Sequence, residues 1–205
     1  AKGGVREAKA IFDSLEPLRK TNLFNPFFEL GDNLYSLSSL SLSSANSTVL
    51  GIQSLYKGVL AVTGESNESP KDYFLQAQSQ LSQANTDVAR AQLLLSDKNF
   101  ISSLPKVLSA NVVSLKDKLS SYSNLVEKGR ASAILLPEIV ALEGAKSYLI
   151  LLQNNNELRP TGGFIGSFAQ ISFEGGKLKK IDVNDIYAID GQLPIHVEPP
   201  KEIKE

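Results

Sequence analysis

The sequence predicts an α+β chain: an N-terminal antiparallel helical bundle or stalk over residues 1–130, then, over 131–205, the N-terminal part of an α/β domain with a mainly antiparallel, incomplete sheet. Three observations predict it. Phe74, Ala77, Leu81, Ala84, Val88, Ala91 and Leu95 recur at alternating spacings of three and four, the seam of helices that cross at a shallow angle. A second seam, Leu108, Val112, Leu115, Leu119, Tyr122 and Val126, has the same spacing, and two such helices joined by a short break fold most simply as an antiparallel pair. After Lys146 the period changes from helical to strand-like.

In chain order, Val5, Ala8, Phe12 and Leu15 mark one face of a short amphipathic helix that Pro17 limits. Asn22 to Pro26 reads as a corner, with Leu23, Phe24, Phe27 and Phe28 as a packing plug. A helix follows from Phe28 to Val62, with Leu30, Leu34, Leu37, Ala45, Thr48, Ile52, Leu55, Val59 and Val62 expected on its buried side. Its serine-rich middle has weak intrinsic propensity because hydroxyls compete for backbone partners, so neighbours must hold it. Gly64 to Ser69 is a loop, and Ser69-Pro70-Lys71-Asp72 combines a cap, a first-turn proline and a first-turn acid, the start of the helix that carries the first seam. Asp97 to Leu104 breaks the pattern, Pro105 starts the second-seam helix, Gly129 is expected to end it, and Leu135-Leu136-Pro137-Glu138 to restart a short helix reaching Lys146.

Tyr148-Leu149-Ile150-Leu151-Leu152 is a continuous apolar run of strand length, expected to be a buried strand. A polar corner rich in Asn and Gly follows, in which Pro160 removes a backbone donor and disfavours both helix and ladder. Phe164 to Phe173 returns as an alternating strand, Glu174-Gly175-Gly176-Lys177 is a hairpin turn, and Leu178 to Val183 is a third strand. Three strands are few for an independent domain. The chain also begins at Ala1 without methionine and ends in Pro199-Pro200-Lys201-Glu202-Ile203-Lys204-Glu205. It therefore reads as a piece of a longer protein, with any anchor before Ala1 and the sheet completed beyond Glu205 or by another chain.

Composition narrows the chemistry. The net charge is −1 and 42% of residues are hydrophobic, which favours neither disorder nor nucleic-acid binding. Lys177, Lys179 and Lys180 read as a solvated strand edge that discourages edge pairing. With no cysteine there is no disulfide, thiolate metal site or cysteine nucleophile. The single histidine, His196, lies in a proline-flanked tail, and no GxSxG elbow is present, which argues against a Ser-His-Asp hydrolase and against zinc. Asp182, Asp185 and Asp190 could offer oxygen ligands to Mg²⁺ or Ca²⁺, Asp185 and Asp190 being weak metal candidates, but their spacing is not that of a calcium loop and solvated carboxylates fit it better. No cofactor is expected.

The corner between the first two strands is the candidate site: Asn155, Glu157, Arg159, Thr161, Gly162 and Gly163. Arg159 either pairs with Glu157 or presents a bidentate fork to a phosphate or carboxylate. Backbone amides at Thr161, Gly162 and Gly163 either form an anion-binding nest or, with Asn155, Glu157 and Arg159, serve to hold the loop itself.

The run LLQNNNELRPTGGFIGSF, the Gly-Gly hairpin and the later Asp185-Ile186-Tyr187-Ala188-Ile189-Asp190-Gly191 resemble the bacterial family catalogued as domain of unknown function 4012, most strongly over Leu136 to Leu193. The resemblance implies an extracytoplasmic, membrane-anchored domain of the cell envelope or surface, of unknown activity. More distantly, an apolar strand, an arginine-bearing corner, a strand and a hairpin are similar in layout to the start of the LytR–CpsA–Psr enzymes, which transfer glycopolymers from polyprenyl-pyrophosphate carriers. In that likeness Arg159 matches a pyrophosphate-handling arginine, Thr161-Gly162-Gly163 replaces the Asp-Thr expected after it, and Asn154-Asn155 stands where an acid is expected. The first expectation is a membrane-tethered scaffold or assembly module, self-associating or having its sheet completed by another chain. The alternative is a transferase of this kind, using Mg²⁺.

Overall fold

A computed structural model describes residues 2–19, 25–159, 162–192, 194, 195, 198 and 201. The elements run α1 (Lys2–Ser14), α2 (Glu16–Arg19), α3 (Asn25–Thr63), α4 (Pro70–Leu94), α5 (Lys98–Ser103), α6 (Lys106–Ser109), α7 (Val112–Ile139), β1 (Ala145–Asn154), β2 (Phe164–Glu174), β3 (Lys177–Asp185) and α8 (Tyr187–Asp190). The chain forms two compact units, Ala1–Gly58 with Asp72–Leu136, and Val59–Lys71 with Pro137–Glu205. A helical region followed by an open, wholly antiparallel sheet is the architecture the sequence predicts.

In the first unit, α4 is the axis. All seven residues of its predicted seam are between 0 and 1% exposed. Against it α3 runs antiparallel and very close. A methyl group added at Gly51 would stand 2.5 Å from Leu81 Cγ, and one at Gly58 would stand 2.8 Å from Phe74 Cε1. Ser44 Oγ donates to the Ala84 carbonyl at 3.0 Å. From Gly58 to Gly51 α3 falls by seven residues while its partner on α4 rises by seven, from Phe74 to Leu81, one heptad of an antiparallel pair.

The buried stripe of α3 is therefore made of small residues, including Ser44, Ser47, Thr48 and Gly51. This corrects the apolar face expected from the sequence, because Ala45, Ile52 and Val59 are exposed. Close approach to Leu81 and Phe74 selects for lack of volume, not for hydrophobicity.

Helix α7 closes the bundle through Val112, Val126 and Ala133, which are buried, while Leu108 and Leu115 of the predicted seam are exposed. Tyr122 hydroxyl bridges Thr48 Oγ1 at 2.6 Å and Ser44 Oγ at 3.1 Å. Asp87, also buried, accepts from Ser43 Oγ at 2.7 Å and from Gln83 Nε2 at 2.9 Å. Ser44, Thr48 and Asp87 are thus each paired, as burial demands.

Three expectations in this region are corrected. Gly129 does not end a helix; it lies within α7, where a methyl would meet Leu81 Cδ2 at 3.5 Å, an ordinary packing contact. No separate helix begins at Leu135 and reaches Lys146, because α7 continues to Ile139 and β1 starts at Ala145. Pro137 is tolerated because the carbonyl four residues back, at Ala133, accepts Gln78 Nε2 at 2.9 Å in place of the missing amide. The break from Asp97 to Leu104 contains α5, whose first turn Asp97 caps by accepting the Asn99 amide at 2.8 Å.

At the chain's start α1 packs on α3, with Lys9 bridging Asp13 at 2.8 Å and Asp32 at 3.0 Å, and both carboxylates hold its ammonium above the usual lysine range. The rings of Phe12, Phe27 and Phe28 meet at 5.0–5.9 Å, part of the expected aromatic plug; Leu23 and Phe24 lie outside the described residues.

In the second unit the sheet order is β1-β2-β3. The turn Gly175-Gly176 has φ of +57° and +75°, the double left-handed conformation for which glycine is suited. Its amides donate to the carbonyls of Gly144 at 3.0 Å and Ala141 at 2.9 Å, tying the hairpin to the turn after α7. Tyr148 hydroxyl donates to the Ile139 carbonyl at 2.8 Å.

The strand expected to be buried is not. Leu149, Ile150, Leu151 and Leu152 are 65, 41, 53 and 45% exposed, alternating onto both faces of β1. The reason is position: among the described residues β1 pairs with β2 alone, so one edge is open. By contrast, the open edge of β3 carries Lys179 paired to Glu174 at 3.4 Å and Lys180 paired to Asp182, the charged protection expected of an exposed edge.

Candidate functional site

The corner joins β1 to β2 at the sheet end opposite the Gly-Gly hairpin. Pairing runs evenly to Leu152↔Ser167, then slips so that Gln153 faces Ile165 and Asn154 faces Phe164, leaving Gly166 as the extra residue of a bulge. The Gly166 carbonyl accepts the Ile186 amide at 3.0 Å, which brings the start of β2 and the residues after β3 to the same end.

Asn154 organises the bend. Its Oδ1 accepts the Asn156 amide at 3.1 Å, its Nδ2 donates to Glu157 Oε1 at 3.3 Å, and its carbonyl accepts the Glu157 amide at 3.3 Å. Asparagine suits this position because its side chain can mimic a backbone turn two residues on. Gly163 then passes so near β1 that a methyl there would stand 2.6 Å from the Asn154 carbonyl oxygen. Gly162 has φ of +95°, and its amide donates to the Arg159 carbonyl at 2.9 Å, so this donor serves the loop itself.

Of the residues singled out from the sequence, Glu157 therefore joins Asn154, while Asn155 is exposed. Arg159 is exposed and its guanidinium carbon lies 5.5 Å from the centre of the Phe164 ring, a cation–π arrangement that steadies the plane while leaving its N–H fork to solvent. Thr161 lies outside the described residues, as do His196 and the side chain of Asp190. Asp185 Oδ1 accepts the Tyr187 amide at 2.9 Å, which starts α8. Asp182 pairs with Lys180. Among the described residues there is no cluster of three or more His, Cys, Asp or Glu side chains that could hold a metal ion.

The sequence reading placed weight on Asn155 and missed Asn154, although Asn two residues before a second Asn after a strand is the pattern of a side-chain-closed turn. Chemically, the described part of the corner offers an exposed guanidinium steadied on an aromatic ring.

Fold and corner together define an α+β chain: a helical unit and a small open sheet whose tightest feature is an Asn/Glu/Arg/Gly bend. Residues 143–204 match the family model described as "Protein of unknown function (DUF4012)", the family that the LLQNNNELRPTGGFIGSF run resembles. The match spans β1 to α8 and the residues that follow, so the corner lies within it. No curated protein and no solved structure matches the chain.

Proposed function

We propose that this chain is part of an extracytoplasmic, membrane-tethered protein of a bacterial cell envelope, and that it works as an assembly scaffold whose sheet takes up a strand along β1. One observation carries the scaffold reading: β1 is apolar on both faces, and at least 41% exposed at each of Leu149, Ile150, Leu151 and Leu152. No charge stands between Lys146 and Asn154 to protect the edge. A strand apolar on both faces belongs inside a sheet covered on both sides, and an open strand edge supplies main-chain donors and acceptors for one more strand. The envelope location and the tether rest on the family resemblance; among the described residues no helix is long and apolar enough to cross a membrane.

Site-specific photo-crosslinking in cells tests this. A photoreactive residue at position 149 or 151 is expected to capture a defined extended peptide segment, mapped by mass spectrometry, whereas the same group at Leu93 on α4, 72% exposed, captures none. Absence of a mapped segment from both β1 positions would remove the scaffold reading. Protease added to whole cells should digest the domain if it lies outside the cytoplasm.

A second reading, transfer of glycopolymers from a polyprenyl-pyrophosphate carrier, draws on Arg159, whose exposed fork suits a phosphate. Titration with a polyprenyl pyrophosphate and Mg²⁺ decides it: binding lost in Arg159→Ala supports it, and binding absent or unchanged removes it.

A further inference from the structure

The chain passes from α4 to α7 through the short helices α5 and α6, and this handover leaves apolar side chains in solvent. Val107 and Leu108 of α6 are 78 and 45% exposed, and Val113 in the first turn of α7 is 70% exposed. Phe100 of α5 is buried, which fixes the handover to the bundle. The backbone around the exposed residues is already paired. The Pro105 carbonyl accepts the Leu108 and Ser109 amides at 2.8 and 3.0 Å, the Lys106 carbonyl the Ala110 amide at 3.1 Å, and the Leu108 carbonyl the Asn111 amide at 3.1 Å. Polar side chains bond back onto the same segment: Ser109 Oγ donates to the Lys106 carbonyl at 3.2 Å and Asn111 Nδ2 to the Val107 carbonyl at 3.0 Å. A segment whose polar groups are satisfied internally can leave water at low cost, which the open edge of β1 cannot do without a partner strand.

The charges beside this turn are uncompensated. From Asp97 to Lys118, Lys98, Lys106, Lys116 and Lys118 stand against two acids, Asp97 and Asp117, in a chain whose net charge is −1. Among the described residues none of these four lysines meets a carboxylate, whereas Lys9, Lys71, Lys146, Lys179 and Lys180 each do. We propose that the α5–α6–α7 handover is a membrane-contact site: Val107, Leu108 and Val113 enter the headgroup region of a bilayer, and the lysines around them hold anionic lipid headgroups. Unpaired lysines complement a negatively charged lipid surface, and apolar side chains on an internally paired backbone suit its interfacial layer. Three aliphatic side chains bury far less than the roughly 800 Å² per partner of a standard protein interface, while a bilayer needs no matching shape. The contact is peripheral, because no described helix is long and apolar enough to cross a membrane. It rests on the envelope reading only for a bilayer's being within reach, and it goes beyond the proposed tether by assigning a second contact to residues of this chain.

The chain contains no tryptophan, so Val107→Trp reports this site alone. With vesicles of phosphatidylglycerol and phosphatidylcholine in equal parts, its emission should shift to the blue and be quenched by brominated lipid, while Leu93→Trp on α4, also exposed, should show neither effect. In vesicle sedimentation the unaltered 205-residue chain should bind, and more weakly as salt is raised. Val107→Asp/Val113→Asp should lower vesicle affinity about tenfold or more. Lys106→Glu/Lys116→Glu should lower it by a similar factor, and both double variants should keep the helical circular-dichroism spectrum. Absence of binding to the anionic vesicles at low salt overturns the proposal. So does equal binding to pure phosphatidylcholine, binding undiminished in either double variant, or emission of the Val107→Trp variant that does not move while the protein sediments, an outcome that would place the contact elsewhere. None of these substitutions touches β1, so this proposal and the strand-uptake reading can fail separately.

Discussion

Helix α4 and strand β1 are both organised by apolar residues at the right period for their structure, yet their fates are opposite. Every seam residue of α4 is covered, whereas the four central apolar residues of β1 are roughly half exposed. The difference lies in what surrounds them. Helix α4 has α3 and α7 against it, and α3 lies so close that a methyl at Gly51 or Gly58 would meet Leu81 or Phe74 at less than 3 Å. Among the described residues, strand β1 has one neighbouring strand, β2. Periodicity therefore states what an element needs, and the number of partners decides whether the need is met.

That contrast can be broken most forcefully at Phe74. Phe74→Ala removes a ring wholly enclosed in the bundle and should cost about 3–5 kcal/mol in urea unfolding; a loss below about 1 kcal/mol would show that α4 is not the axis of the bundle. Gly51→Val should cost about 1–3 kcal/mol by overpacking against Leu81, and a neutral effect would mean the two helices are not held at the described separation. Tyr122→Phe removes one hydroxyl shared by Ser44 and Thr48 and should cost about 1 kcal/mol, read as a lowered midpoint with unchanged slope. At the small end, Leu149→Lys on β1 should change the stability of the isolated chain by less than about 0.5 kcal/mol. A large loss there would show that β1 is already covered.

How much of this was legible depended on which residues carried the packing. The α4 seam was readable because each position is Ala, Leu, Val or Phe at helical spacing. The α3 face was misread because the residues that pack are Ser, Thr and Gly, while the larger Val49, Ile52 and Tyr56 lie elsewhere on the helix. Gly129 looked like a stop because sequence alone does not distinguish a glycine that ends a helix from one that lies inside it, as this one does within α7. Strand identity and the hairpin turn were legible in the apolar run and the paired glycines, but burial of β1 was not, since a strand's pattern carries no record of whether its neighbours are present. In the corner, glycine and asparagine announced a tight bend, whereas the stacking of Arg159 on Phe164 depends on the pairing register and the bulge at Gly166, which only the folded sheet provides.

The most direct test concerns the backbone of β1. In an antiparallel edge strand, alternate amides point toward the neighbour and the rest face solvent, so hydrogen exchange over Tyr148 to Gln153 reports the edge residue by residue. In protein isolated undenatured from the cells that make it, both alternating sets should exchange slowly, because a further strand occupies the open side. If every second amide instead exchanges as fast as in an unstructured loop, the edge is unoccupied and the account of β1 as an acceptor strand is wrong.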